Sequence, residues 1–215
     1  MPTEPLREIS GPVGRLEALL DLPADQPRAG VVFAHPHPLH GGTLHTKVVY
    51  QAAKALARVG CAVLRFNFRG VGRSAGDFDA GPGEMDDFRA ALDVTSERYP
   101  SVPLWAAGFS FGSWVASTVG AADSRVALVL AIAPPVDRYD FGALQSCAKP
   151  KFFIHGERDE LISIKAMRRF YAQLPEPKEL VEIEDATHLF EGKTSEVGDA
   201  VADLLADYHA PGTGR

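Results

Sequence analysis

Three side chains in this sequence have the chemistry and the chain order that a serine needs to attack a carbonyl. Ser110 sits in the pentapeptide Gly108-Phe109-Ser110-Phe111-Gly112. A serine hydroxyl is a weak nucleophile at neutral pH, so it needs a base to take its proton, a group to orient that base, and N–H donors for the oxyanion. The pentapeptide closes an apolar run, 104–109, and opens a helical one, 112–121. In that strand-turn-helix setting the two glycines let neighbouring backbone pass close to a strained, exposed serine. In an ordinary βα turn the same serine would only cap a helix. The base and its orienting acid are expected later in the chain, acid first. Asp159 follows the apolar run 151–155 in His155-Gly156-Glu157-Arg158-Asp159, where Glu157 is a competing carboxylate. His188 follows 180–183 in Asp185-Ala186-Thr187-His188-Leu189-Phe190. Ser110, Asp159 and His188 are therefore the expected catalytic residues.

The oxyanion donors are expected to be main-chain amides. One is the N–H of Phe111, directly after the nucleophile, and the other belongs to His35-Pro36-His37-Pro38-Leu39-His40-Gly41-Gly42, after the apolar run 30–34. Pro36 and Pro38 carry no N–H, which leaves His37 as the natural donor. His35, His37, His40 and His45 also pose a metal reading. Zinc needs three or four converging ligands, and the prolines keep the first pair off a helical i, i+4 repeat, so no metal is expected and His35 and His37 should bond within their loop. The run Arg69-Gly70-Val71-Gly72-Arg73-Ser74-Ala75-Gly76 has the spacing GxGxxxG rather than the dinucleotide fingerprint, and turns needing positive φ account for it. Arg65 and Asn67 before it are expected to be structural, and Asp86 and Asp87 after it to favour a helix dipole. No cofactor is expected.

These residues need a scaffold that brings them to one edge. The runs 30–34, 61–68, 104–109, 126–133, 151–155 and 180–183 read as strands. Several are apolar on consecutive positions, which means a parallel sheet covered on both faces. Helical stretches at 45–58, 84–98, 112–121, 164–174 and 194–208 alternate with them, with Ser163 and the Thr194-Ser195-Glu196 region as N-caps. The alternation predicts an α/β fold: a doubly wound, mostly parallel sheet with helices on both faces. Residues 9–22 should add one or two antiparallel strands at an edge. All of 1–215 reads as a single domain with a disordered tail over about 209–215.

The bulk properties narrow the partners. A net charge of −6 over 215 residues excludes a general nucleic-acid or anionic-membrane surface, leaving a small molecule as the expected ligand. No apolar run approaches the roughly 18 residues of a membrane span, and the start lacks a secretory pattern, so a cytoplasmic location is expected. Cys61 and Cys147 show no paired spacing and read as structural thiols. Nothing in these patterns fixes an oligomeric state.

The motifs HPHPLHGGT (35–43), RFNFRGVGRSAG (65–76), GFSFGS (108–113), HGERDE (155–160) and DATHLF (185–190), together with the strand rhythm, resemble the α/β-hydrolase superfamily, and in particular its small lidless bacterial serine hydrolases. The resemblance covers most of the chain from about 30 to 208. It implies a nucleophile elbow at Ser110 and a Ser-His-Asp triad. His35-Pro36 stands where the superfamily usually has His-Gly, a departure shared by the small subgroup. Dienelactone hydrolases look similar in layout but use cysteine, whereas position 110 is serine. Caps in the superfamily are commonly inserted after the strand that here ends near Ala133, and 136–150 is too short to hold a substantial one. The resemblance thus implies an uncovered site with Phe111, Leu39, Leu161, Leu189 and Phe190 as apolar walls. The expected activity is hydrolysis of a small carboxylic ester or thioester through an acyl-enzyme. A peptidase or thioesterase on the same triad, or a noncatalytic binding protein on this fold, are the alternatives.

Overall fold

Consecutive apolar residues in a strand find a buried place only if both sides of the sheet are covered, and the computed structural model, which describes residues 6–206 and Tyr208, has that arrangement. The strands are β1 (Glu8–Gly11), β2 (Gly14–Asp21), β3 (Ala29–Ala34), β4 (Cys61–Phe66), β5 (Leu104–Phe109), β6 (Val126–Ile132), β7 (Lys151–Gly156) and β8 (Lys178–Ile183). The helices are α1 (Lys47–Arg58), α2 (Pro82–Arg98), α3 (Phe111–Ala122), α4 (Ile164–Ala172) and α5 (Thr194–Leu205). Every residue of β3, β4, β5 and β7 is buried. Alternate side chains feed two layers. Val31, Phe33, Trp105 and Ala107 pack with α1 and α5, while Val32, Ala34, Leu64 and Phe66 pack with α2 and α3. Farther along the second face, Val129, Ala131 and Phe153 meet Met167 of α4. The expected tail over 209–215 lies outside the described residues.

The sheet order is β1-β2-β4-β3-β5-β6-β7-β8. β1 and β2 form an antiparallel hairpin, β2 runs antiparallel to β4, and the remaining pairs are parallel. After β3 the chain adds β4 on one flank and then returns to start β5 on the other. The order therefore reverses between β3 and β5, and in such sheets ligands bind outside the carboxyl ends of the strands at that point. Ser110 follows β5 directly, and the histidine-proline loop follows β3. At the two edges of the sheet lie β1, only four residues long, and β8, in which Ile183 alone is fully buried.

Local departures from the sequence reading have local causes. β4 stops at Phe66 because the next ladder donors are diverted to side chains, Glu17 N–H to Ser74 Oγ (2.9 Å) and Phe68 N–H to the His35 ring (3.1 Å). Ser163 caps α4, its Oγ accepting from Ala166 N–H at 3.2 Å. The cap expected at 194–196 is corrected: Lys193 is the N-cap of α5, without a side-chain bond, and Thr194 begins the helix. The connection 136–150 contains one short 3₁₀ turn, Gly142–Leu144, pinned by buried Phe141 and Leu144 and by Trp114 Nε1–H donating to Asp140 O at 2.9 Å. It lies along the body of the protein rather than forming a cap. No helix among the described residues is long and apolar enough to cross a membrane.

Candidate active site

Ser110 is held in a conformation that few non-glycine residues adopt, φ 51° and ψ −122°. Such a backbone costs about 1–3 kcal/mol and persists only where the surroundings fix it. Here Ser110 N–H donates to Ile132 O of β6 at 2.8 Å, while its C=O accepts from Ser113 N–H (2.8 Å) and from Ser113 Oγ (2.6 Å). The sharp turn also forces close backbone contacts. A Cβ at Gly108 would come within 2.6 Å of Ser113 N, and one at Gly112 within 2.5 Å of Ala34 O. Only glycine fits at these two positions, which explains the spacing around the serine.

The loop after β7 is shaped by one carboxylate. Asp159 Oδ1 accepts the main-chain N–H groups of Leu161 and Ile162, both at 2.8 Å, which leaves Oδ2 aimed at His188 Nδ1, 2.7 Å away. Burial alone would raise the Asp159 carboxyl, but the bonds from His188 and from the Ile162 amide outweigh it and hold the group below the usual carboxylate range. An ionised carboxylate only accepts, so His188 carries its proton on Nδ1 and presents the Nε2 lone pair to Ser110 Oγ at 2.9 Å. Glu160 accepts the main-chain N–H of His188 at 3.1 Å and fixes the loop from outside. Glu157, the competing acid, is exposed. His188 and Asp159 are buried, whereas Ser110 is half-buried and open to a cavity.

His155 supports this loop from beneath. It is fully buried, and its Nε2 donates to Ile162 O at 2.9 Å while standing 3.6 Å from Asp159 Oδ2. Burial pushes its pKa down, so the ring is neutral beside the carboxylate.

The histidine-proline loop after β3 folds back on itself. His37 C=O accepts from His40 N–H and Gly42 N–H, each at 3.1 Å, and His37 Nδ1 accepts from Leu39 N–H at 3.2 Å. His37 and Phe111 lie with their rings 5.1 Å apart, and both line the cavity at Ser110. Phe111 is the first residue of α3, where an N–H has no partner inside the helix. His35 does more than shape its own loop: Nε2 accepts from Phe68 N–H, tying the loop after β3 to the one after β4, and Nδ1 lies 2.6 Å from Pro36 O. Among the described residues no group of three or more His, Cys, Asp or Glu side chains converges as a metal site.

The glycine-rich run after β4 is a structural turn, with Gly70, Gly72 and Gly76 at φ 72°, 57° and 82°. Arg69 meets buried Asp87 at 2.8 Å, so Asp87 serves as the partner of that guanidinium rather than as a dipole charge, and exposed Asp86 pairs with Arg89. Arg65 is anchored by Asp21 (2.6 Å) and Leu44 O (2.7 Å), and Asn67 by Glu17 and Leu44 N–H. Cys61 and Cys147 are buried and unpaired, and burial raises the Cys61 thiol to about 12.

The apolar walls differ from the expectation. The cavity of about 120 Å³ that contains Ser110 and His188 is lined by Leu161, as expected, and by Pro135, Arg138, Tyr139 and Ile162. Leu39 is 69% exposed and stands outside it. Phe190 turns away at φ 52° and buries its ring against Phe109 in the core under α5. Leu189 lines a separate cavity of about 570 Å³, whose lining includes neither Ser110 nor His188. Nearness to His188 in sequence does not bring Phe190 into the crevice, because its own left-handed backbone turns the ring toward Phe109. Pro135, in the loop that follows the end of β6 at Ile132, could have been found by the strand-end reasoning that located Asp159 and His188.

Comparison with known proteins places this geometry among hydrolases. The profile of the family described as serine aminopeptidase, S33, matches residues 25–141. A structure of an α/β serine hydrolase homologue from Coxiella burnetii is 37% identical, with a TM-score of 0.89 over 96% of this chain and 99% of that one. A Xanthomonas campestris protein described as an α/β serine hydrolase without lid is also 37% identical, with a TM-score of 0.90 over 100% and 99% of the two chains. An uncharacterized protein of Rickettsia prowazekii shares 37% identity over 93% of this chain and 90% of its own length.

Proposed function

The chain belongs to the serine aminopeptidase S33 family of α/β hydrolases, and on that premise we propose that it hydrolyses a small carboxylic ester, or a thioester, through an acyl-enzyme on Ser110. The observation that carries this reading is the unbroken line of contacts from Asp159 through His188 to Ser110 Oγ. In the proposed acylation, His188 Nε2 takes the Ser110 proton as Oγ forms a bond to the carbonyl carbon. The amides of Phe111 and His37 receive the oxyanion, and Asp159 stabilises the imidazolium without taking its proton. Collapse of the tetrahedral intermediate breaks the bond to the leaving oxygen or sulfur, which takes the proton from His188. Water then repeats the sequence on the acyl-enzyme, with His188 as its base, and releases the acid. No step calls for a metal or cofactor.

The peptidase reading is weaker on electrostatic grounds. An aminopeptidase must hold the cationic α-amino group of its substrate beside the scissile carbonyl, which calls for a carboxylate. The described residues lining the Ser110 cavity include none, and Arg138 stands there instead. The test is a series of p-nitrophenyl esters of increasing acyl length, run on the wild type and on Ser110→Ala, beside a fluorophosphonate label. We expect turnover and labelling in the wild type and the loss of both in S110A. Equal activity of the two proteins would refute the mechanism, and a wild type inert to ester and label alike would favour a noncatalytic binding protein.

A further inference from the structure

Arg138 is the residue lining the Ser110 cavity that carries a permanent charge, and no carboxylate shares that lining. His37, on the same lining, is held down by burial and by the neighbouring His40, so its ring is neutral at pH 7. In this acidic chain arginines readily find a carboxylate, and Arg65, Arg69, Arg73, Arg125 and Arg158 each pair with one. Arg138 does not. It is exposed, its Nη2 reaches Leu161 O at a long 3.4 Å, and no carboxylate of the described residues lies within ion-pair distance of it.

The acids around it have other partners. Asp137 and Asp140, its near neighbours in sequence, line a different cavity, and Asp140 Oδ1 accepts from Gly142 N–H at 2.7 Å. Glu160, on the loop after β7, accepts the main-chain N–H of His188 and is not part of the lining. The backbone that carries Arg138 is itself pinned. Pro135 O accepts from the N–H groups of Arg138 (3.0 Å) and Tyr139 (3.1 Å), and the Tyr139 ring stacks on Trp114 at 4.5 Å and meets Phe111, the residue after the nucleophile, at 5.7 Å. The guanidinium is thus tethered at the crevice of Ser110 with no internal ion pair to give up when an anion arrives.

We propose that Arg138 is a specificity residue that selects esters carrying a carboxylate remote from the scissile carbonyl. The inference rests on the ester-hydrolase reading above. A guanidinium fork matches a carboxylate through two parallel N–H···O bonds, and a cationic crevice concentrates anions from solution. One guanidinium suits one negative charge, whereas a phosphate dianion would call for a second permanent cation, absent from the lining.

Two matched pairs of esters test this. Monomethyl glutarate and methyl isoheptanoate differ by a carboxylate in place of an isopropyl group on the acyl side, and γ-acetoxybutyrate and isohexyl acetate differ in the same way on the alcohol side. The measurement is kcat/KM for each ester, by pH-stat, in the wild type, Arg138→Gln, Arg138→Glu and Arg169→Gln. Arg169 is exposed and lines the other cavity beside Asp137 and Asp140, so R169Q removes the same charge elsewhere. In at least one pair the wild type should prefer the anionic ester. R138Q should lower that anionic-to-neutral ratio about fivefold, the upper range for an exposed ion pair, R138E should lower it further, and R169Q should leave it within about twofold. Added salt should shrink the wild-type preference. The proposal is overturned by a wild type without the preference in either pair, by an R138Q ratio equal to that of the wild type, by equal ratios in R138E and R138Q, or by an equal fall in R169Q. Failure of the wild type to hydrolyse any of the four esters would instead sink the ester reading.

Discussion

Asp159 has its two oxygens committed to different tasks, one to the amides that close its own loop and one to His188. Replacing it with asparagine separates those tasks. The amide oxygen of the replacement could still accept from the loop N–H groups, but its NH₂ would face His188 Nδ1 and favour the tautomer with the proton on Nε2, the wrong side for deprotonating Ser110. Asp159→Asn should therefore reduce kcat on p-nitrophenyl acetate by about 10³–10⁴-fold while leaving the fold intact. Glu157→Gln, at an exposed position on the same loop, should stay within about twofold of wild type. Similar losses in the two variants would mean that the orienting acid is misassigned.

At the scale of the elements, the serine turn works because α3 starts almost in contact with the end of β3. Gly112 packs on the carbonyls of Ala34 and His35, so Gly112→Ala must push α3 away from the strand. Overpacking of this kind costs about 1–3 kcal/mol, to be read from the urea midpoint, and it should depress ester hydrolysis as well because Phe111 and His37 move apart. A G112A protein with wild-type stability and rate would show that the close approach is dispensable. The same elements explain what could be read from the sequence. Each buried parallel strand announces itself as an apolar run, and the residue just past its carboxyl end reaches the crevice, which is why Ser110, Asp159 and His188 could be named together. The wall formed by Arg138 and Tyr139 left no such signal. Its position depends on how 136–150 is pinned against α3 by Trp114, Phe141 and Leu144, a matter of distant packing rather than local period. Phe190 was misplaced for a related reason, since its direction hangs on one backbone angle that the residue type does not reveal.

For the whole molecule, the buried imidazole of His35 couples folding to pH. Burial pushes it down to about 4 from an ordinary 6.5, and its Nε2 is already occupied as an acceptor for Phe68 N–H. Between these two values the unfolded chain binds a proton that the folded chain refuses. The stabilisation is complete above about pH 6.5 and is lost as pH falls toward 4, by about 3 kcal/mol. His155, shifted in the same direction, adds to the trend. Urea unfolding of wild type and His35→Gln at pH 7 and pH 4.5 should show the wild type's advantage shrinking on acidification, whereas parallel pH profiles would rule out His35 as the source.

The two outermost strands bear on how the protein behaves in a crowd. A sheet leaves a row of unpaired N–H and C=O groups at each free edge, and such rows recruit strands from other chains. Here one edge is β1, too short to template much pairing, and the other is β8, which carries Lys178, Glu179 and Glu182. Lys178 reaches the carbonyls of Tyr171 and Leu174, and Glu182 pairs with Arg168. A foreign strand adding beside β8 would have to settle among these charges, so the same sheet that assembles the crevice around Ser110 discourages its own extension into aggregates.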